Sequence, residues 1–490
     1  MNTSMFKFVI ILSLVFFPLM AQSAIIDVPD DFETIQAAID ASENGDEIHV
    51  SPGEYVENID FDGKIISVIG DPDNPEEVII DGGGEGNVVM IANGETDDTI
   101  LSGFTIRNGD TEDGGGIYCV DSYPTLLNLI VRDNVVTRNG GGIYCTGSDG
   151  NSIRMERLEV TSNQSWQGAG IFLVELDVSL SNSIISENYS TGQGSGIYCG
   201  PNTISNFDNL TITGNESRSI AAGISYISPI EASLTNSIFS GNQSEYDGAG
   251  FSLHSPDNQD GVLTVSNCIF TENEGRSTLS ATFGTLQMDH VLLHHTPYQY
   301  QPIFLGEGER IFTNLTLSNN VGRWTIKQVA GSTIIRNTIS YYNEMWEEML
   351  VEGGDFEITY SDIEGGFEGE GNIDADPLFV DAENGDFHLT EDSPCIDVGN
   401  PDSDPDPDGT RADMGAFYFP QEPQVIIVPD DYETIQAAID AAEDGDEIRV
   451  SAGEYVENID FSGKDISVIG NPDNPEEVII DGGGEGSVVT

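Results

Sequence analysis

Basic residues are the scarcest resource of this chain: 16 Lys and Arg stand against 85 Asp and Glu in 490 residues, a formal net charge of -69. Affinity for nucleic acid comes largely from Lys and Arg neutralising phosphates, so nucleic acid is excluded as a partner, and anionic membranes with it. Polyuronides are repelled as well, unless divalent cations bridge the two surfaces. Such a surface suits a saline medium or the collection of Ca2+, and plain solubility accounts for it equally. Cysteine is sparse, five in the chain, which excludes a disulfide framework. Long apolar runs are missing too. The one apolar stretch, residues 8–20, follows Lys7, contains Pro18 and leads to the small residues Ala21 and Ser23. It is too short for a spanning helix and reads as a secretory signal peptide over residues 1–24. The mature chain is therefore expected outside the cytoplasm, secreted or at the cell surface, without a transmembrane segment. Charge this high also raises disorder as an expectation. It fails, because 38% of the residues are hydrophobic and they recur on a period.

The period is roughly 27 residues and carries a two-part phrase. One part is a Gly-rich turn entering an apolar strand: GGGIYC from Gly114, the same again ending at Cys145, then GAGIFL at Gly168, GSGIYC at Gly194 and GAGFSL at Gly248. The other is a short strand ending on Asn, such as NLIVRDN from Asn128, NSIISEN from Asn182, NLTITGN from Asn209 and NCIFTEN from Asn267. Strands this short exclude a helical solenoid. Each coil of chain supplies two or three strands that pair in parallel with the next coil, about 4.8 Å away. The predicted fold is all-β, a right-handed parallel β-helix over residues 25–420. Asn134, Asn163, Asn188, Asn215, Asn242 and Asn273 are expected to form a ladder of stacked amides along the axis. The many Asn-X-Ser/Thr triplets, Asn163-Gln164-Ser165 among them, follow from that ladder without glycosylation.

Alternation assigns the faces. Ile117 and Cys119 should point inward and Tyr118 outward. The Cys119 slot is filled later by Cys145, Leu173, Cys199, Tyr226 and Leu253, an apolar set that predicts a core position. Free buried thiols are expected there, with a Cys119–Cys145 disulfide as the alternative. Outward, Tyr118, Tyr144 and Tyr198 fall on one line with Phe172 between, a candidate contact surface for sugar rings; β-strand propensity alone would also favour Tyr there.

Three segments resemble known families. Residues 32–70 (FETIQAAIDASENGDEIHVSPGEYVENIDFDGKIISVIG) resemble the opening segment of pectin methylesterases and other right-handed β-helix proteins. Physically, Thr34 caps a short helix whose Ile35 and Ile39 plug the open end of the first coil. The Gly-Gly-Gly-Ile and Ile/Phe-x-x-Asn phrases resemble the generic parallel β-helix repeat and the repeats of chlamydial polymorphic membrane proteins. Residues 372–417 look like the closing segment of bacterial surface proteins with a choice-of-anchor Q domain. Resemblance to pectin methylesterases or polygalacturonases implies Asp-Phe-Ile-Phe-Gly, Leu-Gly-Arg-Pro-Trp, Asn-Thr-Asp, Gly-His-Gly or Arg-Ile-Lys, and none occurs. A pectate lyase would need a basic residue to take the proton. Arg132, Arg138, Arg154 and Arg157 are expected to form no constellation with acids.

Three local features remain. Asp402, Asp404, Asp406 and Asp408, followed by Gly409 and Asp413, place carboxylates at alternate positions as Ca2+ loops do. The Glu expected at loop position 12 is missing, since Gly415 stands there, and Arg411 is the other candidate partner for the acids. In MDHVLLHHT, alignment puts His295 on the Asn ladder, His294 beside it and His290 inward, a poor metal geometry. Finally, residues 426 onward repeat residues 26 onward, shifted by 400 positions with about ten substitutions. Residues 421–490 read as a linker and a second copy of the opening segment, cut short of the coils it needs. The function expected is a glycan-binding or structural, adhesive module whose partner is an extracellular glycan or cell-surface component. The alternative is a carbohydrate-active enzyme, a lyase or hydrolase, with a site outside these motifs.

Overall fold

The computed structural model describes residues 23–490 except 149–151, 256–260, 298–299, 422–423, 443–444, 465 and 485–486. Most of the predicted signal peptide, residues 1–22, lies outside the described residues. No helix among the described residues is long and apolar enough to cross a membrane.

Alternation within the repeated phrases builds the core as expected. In the strand Ile117–Val120, Ile117 and Cys119 are buried, while Tyr118 and Val120 are partly exposed. Ile117, Tyr118 and Cys119 pair in parallel with Ile143, Tyr144 and Cys145 of the next coil. A longer sheet carries the Asn-ended strands, among them Thr125–Arg132, Ser152–Thr161 and Asp177–Ser186, also parallel and in register. A third, narrow sheet consists of short strands such as Gln164–Ser165, Tyr189–Ser190 and Glu216–Ser217. The three sheets enclose one apolar interior and make the chain an all-β parallel β-helix, with right-handed connections the rule for parallel crossovers.

Two Asn columns turn the coil, by different means. The first, Asn128, Asn182, Asn209, Asn236 and Asn267, has φ of 51° to 53°. Asn tolerates this left-handed conformation better than most residues. The second is the predicted ladder. Asn134, Asn163, Asn188, Asn215, Asn242 and Asn273 are fully buried. The amide of Asn188 donates to Asn215 Oδ1 (3.0 Å) and to the Val160 carbonyl (2.9 Å), and each neighbour repeats the pattern. A glycan on Asn163 would break this ladder.

The helix Ile35–Ala41 covers the first coil, with Thr34 accepting the Ala37 N–H (3.2 Å) and Ile35, Ala38 and Ile39 buried. The closing segment does more than plug the other end. It doubles back along the outer face of the long sheet, where Phe387 and Ala416 cover Leu292, and Leu389, Cys395 and Met414 cover Ile339. The second copy rebuilds the opening unit, from the strand Val425–Val428 and the helix Ile435–Ala441 onward, around a separate small core.

Candidate functional site

The outward line of rings is present, with a geometry that alternation alone did not reveal. Tyr118, Tyr144, Phe172 and Tyr198 stack face to face, centroids 5.4, 5.1 and 4.8 Å apart and planes within 3° of parallel. The inner rings therefore have both faces covered by neighbours, and the row offers mainly edges and hydroxyls. Burial pushes the Tyr144 and Tyr198 hydroxyls above their ordinary range, so they act as neutral donors.

The closing acids serve their own turn. Asp406 Oδ2 accepts the Asp413 N–H (2.9 Å). Asp408 accepts the Thr410 N–H and hydroxyl and the Gln421 N–H. Asp413 accepts the N–H groups of Asp397 and Phe419, both at 2.7 Å. With Asp402 and Asp404 they line one loop, yet among the described residues no group of three or more His, Cys, Asp or Glu is placed to hold a metal ion. The oxygens of Asp406, Asp408 and Asp413 are taken up by these donors. Burial pushes the carboxyl of Asp406 up to about 6 and that of Asp413 up to about 7. Arg411 does not pair with these acids; its guanidinium donates to the Gly399 and Val398 carbonyls.

The histidine coil is one residue out of the expected phase. His290 pairs in register with Asn314 at the left-handed corner (φ 51°) and is half-exposed, not inward; its Nδ1 lies 2.9 Å from Asp289. Thr296, not His295, holds the ladder position, its hydroxyl donating to Asn320 Oδ1 (3.0 Å). His294 packs on Phe387, and burial lowers its pKa to about 4. The four arginines pair with acids only locally: Arg132 with Asp133, Arg138 with Asp113, and Arg154 and Arg157 with Glu156. These are local surface pairs, each worth little.

A surface outside the motifs above lies three or four residues beyond the ladder, where each coil leaves the narrow sheet. Backbone hydrogen bonds link Tyr246 to Arg276, Tyr300 to Arg323, and Arg323 to Trp346, coil upon coil. Arg276 lies over the Tyr246 ring at 4.6 Å, and Arg323 is held between Tyr300 (4.7 Å) and Trp346 (4.8 Å). Arg218, over Tyr189 at 5.7 Å, begins the series. Between these stacks opens a cavity of about 610 Å³, lined by Arg218, Arg276, Tyr300 and the carboxylates Glu216, Glu245 and Glu274. Beyond Trp346, which is 70% exposed, a second cavity of about 460 Å³ is lined by Glu348, Glu364 and Phe367. Burial raises the pKa of Glu348, whose Oε2 accepts the hydroxyls of Thr325 (2.6 Å) and Ser340 (2.7 Å). Aromatic rings, guanidinium forks and carboxylates on one concave strip can hold a polyhydroxylated ligand by stacking and paired hydrogen bonds.

The sequence matches no protein-family model and no curated protein at a significant level. Among solved structures, it is similar to the PL6 family alginate lyase AlyGC, at 12% identity over 93% of this chain and 68% of that one, with a TM-score of 0.41. It is similar also to the pectate lyase Pel9A, at 14% identity over 81% of this chain and 97% of that one, with a TM-score of 0.35.

Proposed function

We propose that this chain is a secreted or cell-surface β-helix module that binds glycan along the flank from Arg218 to Trp346. The observation that carries the reading is the cavity beside Arg218, Arg276 and Tyr300, continued by the Arg323–Trp346 stack. The Tyr118, Tyr144 and Tyr198 row remains the competing contact surface, through ring edges. The resemblance of residues 372–417 to choice-of-anchor Q proteins supports display at a cell surface. The test is a glycan array probed with the protein and with a Tyr300→Ala, Trp346→Ala double variant. Binding that the double variant loses supports the flank; binding to no glycan contradicts the function.

The second reading, a carbohydrate-active enzyme, is favoured by one observation: Glu348 and Glu364 share a cavity with an exposed Trp346, and burial keeps Glu348 inclined to hold a proton. A buried carboxyl inclined to hold its proton, with a second carboxylate in the same cavity, suits general-acid work. Release of reducing sugar, abolished by Glu348→Gln, would establish it. Ca2+ at the closing loop is a subsidiary proposal, in which the ion takes over oxygens that now accept backbone N–H groups. A rise in Tm specific to Ca2+, not given by NaCl of equal ionic strength and lost in Asp404→Asn with Asp408→Asn, supports it; equal shifts dismiss it.

A further inference from the structure

On six consecutive coils, arginine returns on every second one, as Arg218, Arg276 and Arg323. Tyr246, Tyr300 and Trp346 come from the coils between; at the first of these Glu245, beside Tyr246, is the residue in step with Arg218, one place past the paired Ser217 and Ser244. Each coil advances about 4.8 Å, so the chemical character of the surface repeats every ~10 Å over a row of ~24 Å. One coil matches the advance of one residue in an extended, equatorially linked sugar chain, and two coils match a disaccharide.

The arginines have the features of anion receptors. Several other basic residues of this acid-rich chain pair with acids, as Arg107 does with Asp81 (2.8 Å) and Lys327 with Glu352 (3.3 Å), while Arg310 and Arg411 spend their N–H groups on backbone carbonyls. Among the described residues, Arg218, Arg276 and Arg323 form no ion pair, and the buried Nε of Arg323 has no hydrogen-bond partner. Asp247, half-buried, is close enough for the Arg276 charge to hold down the pKa that burial raises, yet forms no ion pair with it. Stacking on a ring holds the guanidinium plane but leaves its N–H edge open to the side. That edge is the part that grips a carboxylate or sulfate by two parallel hydrogen bonds. The ring positions between carry no positive charge, and the cavity there is lined by Glu245, which suits hydroxyl and amide donors and opposes a second anion.

We propose that the flank binds a linear polysaccharide in which anionic and uncharged sugars alternate, one sugar per coil. The anionic residues lie at Arg218, Arg276 and Arg323, and the uncharged ones at Tyr246, Tyr300 and Trp346. This rests on the glycan-binding reading above and specifies its ligand class. Net charge does not forbid it, because at physiological ionic strength charges beyond a Debye length of ~8 Å are largely screened. A polymer charged on every residue would set half its anions against ring positions and glutamates; an uncharged polymer would leave the guanidiniums without partners.

The experiment is calorimetric titration of the full chain with three decasaccharides at 0.15 M NaCl: hyaluronan (alternating uronate and N-acetylhexosamine), oligogalacturonate (charged throughout) and a cello-oligosaccharide (uncharged). Hyaluronan should bind at least tenfold tighter than either of the others. Arg276→Gln should weaken hyaluronan about tenfold and leave the cello-oligosaccharide unchanged. Arg218→Gln, at the looser ring contact, should act in the same direction should Arg276→Gln unfold. Equal or tighter binding of either homopolymer overturns the alternation while leaving glycan binding standing. Failure of all three probes also overturns it, and the glycan array then decides separately whether the glycan reading falls too.

Discussion

Asp362 is fully buried beneath the closing segment, with Cys395 Sγ 3.3 Å from its Oδ2 and the Ala375 N–H on its Oδ1. Burial, reinforced by Asp374 and Asp376, pushes its carboxyl up to about 6. Asp406 and Asp413 are displaced the same way, to about 6 and about 7. A carboxyl whose folded pKa exceeds its unfolded value near 4 binds more protons when folded, so its stabilisation is complete below pH ~4 and is lost as pH rises through the folded value. The melting temperature should therefore rise as pH is lowered from 7.5 to 5. Asp362→Asn, which keeps an acceptor for Ala375, should stabilise the protein at pH 7.5 by on the order of 1–3 kcal/mol and flatten the pH dependence. A melt that is higher at pH 7.5 than at pH 5 would show these carboxyls are not held as described. The thiols make a second residue-level case. All five cysteines are free and buried, and desolvation drives the Cys199 thiol far above its ordinary range. Native protein should resist thiol reagents, and denatured protein should react at every cysteine; rapid native labelling of Cys119, Cys145 and Cys199 would reverse the face assignment.

At the scale of the element, the two Asn columns should respond differently to the same change. Asn215→Ala removes the acceptor of the Asn188 N–H and amide and the donor to the Ile185 carbonyl. Leaving buried polar groups unpaired costs ~1–3 kcal/mol apiece, so a loss of about 3 kcal/mol is expected in a denaturant melt. Asn182→Ala, at an exposed corner with φ 53°, should lose only about 1 kcal/mol, the penalty of the left-handed conformation. Equal losses would mean the ladder contributes nothing beyond backbone geometry. The strands, the ladder and the inward thiols were legible in the sequence because a period of two and a conserved phrase within one chain mark them directly. The flank was not. Its residues follow the ladder by three positions at Arg218, Arg276, Arg323 and Trp346, but by four at Tyr246 and Tyr300. No fixed spacing links them, and reading His295 instead of Thr296 as the ladder residue hid the place of Tyr300. The stacking of Tyr118 on Tyr144 was hidden for another reason: alternation tells which side a ring takes, not which way it faces.

For the whole molecule, the opening unit and its near-copy differ in what covers them. Val88 and Val89 are fully buried under the next coil, whereas Val488 and Val489 are 38% and 53% exposed. The copy packs its own core, apart from the main one, so deleting residues 421–490 should leave the main thermal transition unchanged; a large fall would show that the copy braces the solenoid. Along the remaining β-helix, one flank gathers Arg218, Arg276 and Arg323 with the rings of Tyr246, Tyr300 and Trp346. Hydrogen–deuterium exchange with and without the tightest-binding glycan tests that account most directly. Protection confined to residues 216–218, 243–246, 274–276, 300–302, 321–326 and 343–348 is the predicted result, and protection at 117–120, 143–146 and 197–199 instead would contradict it.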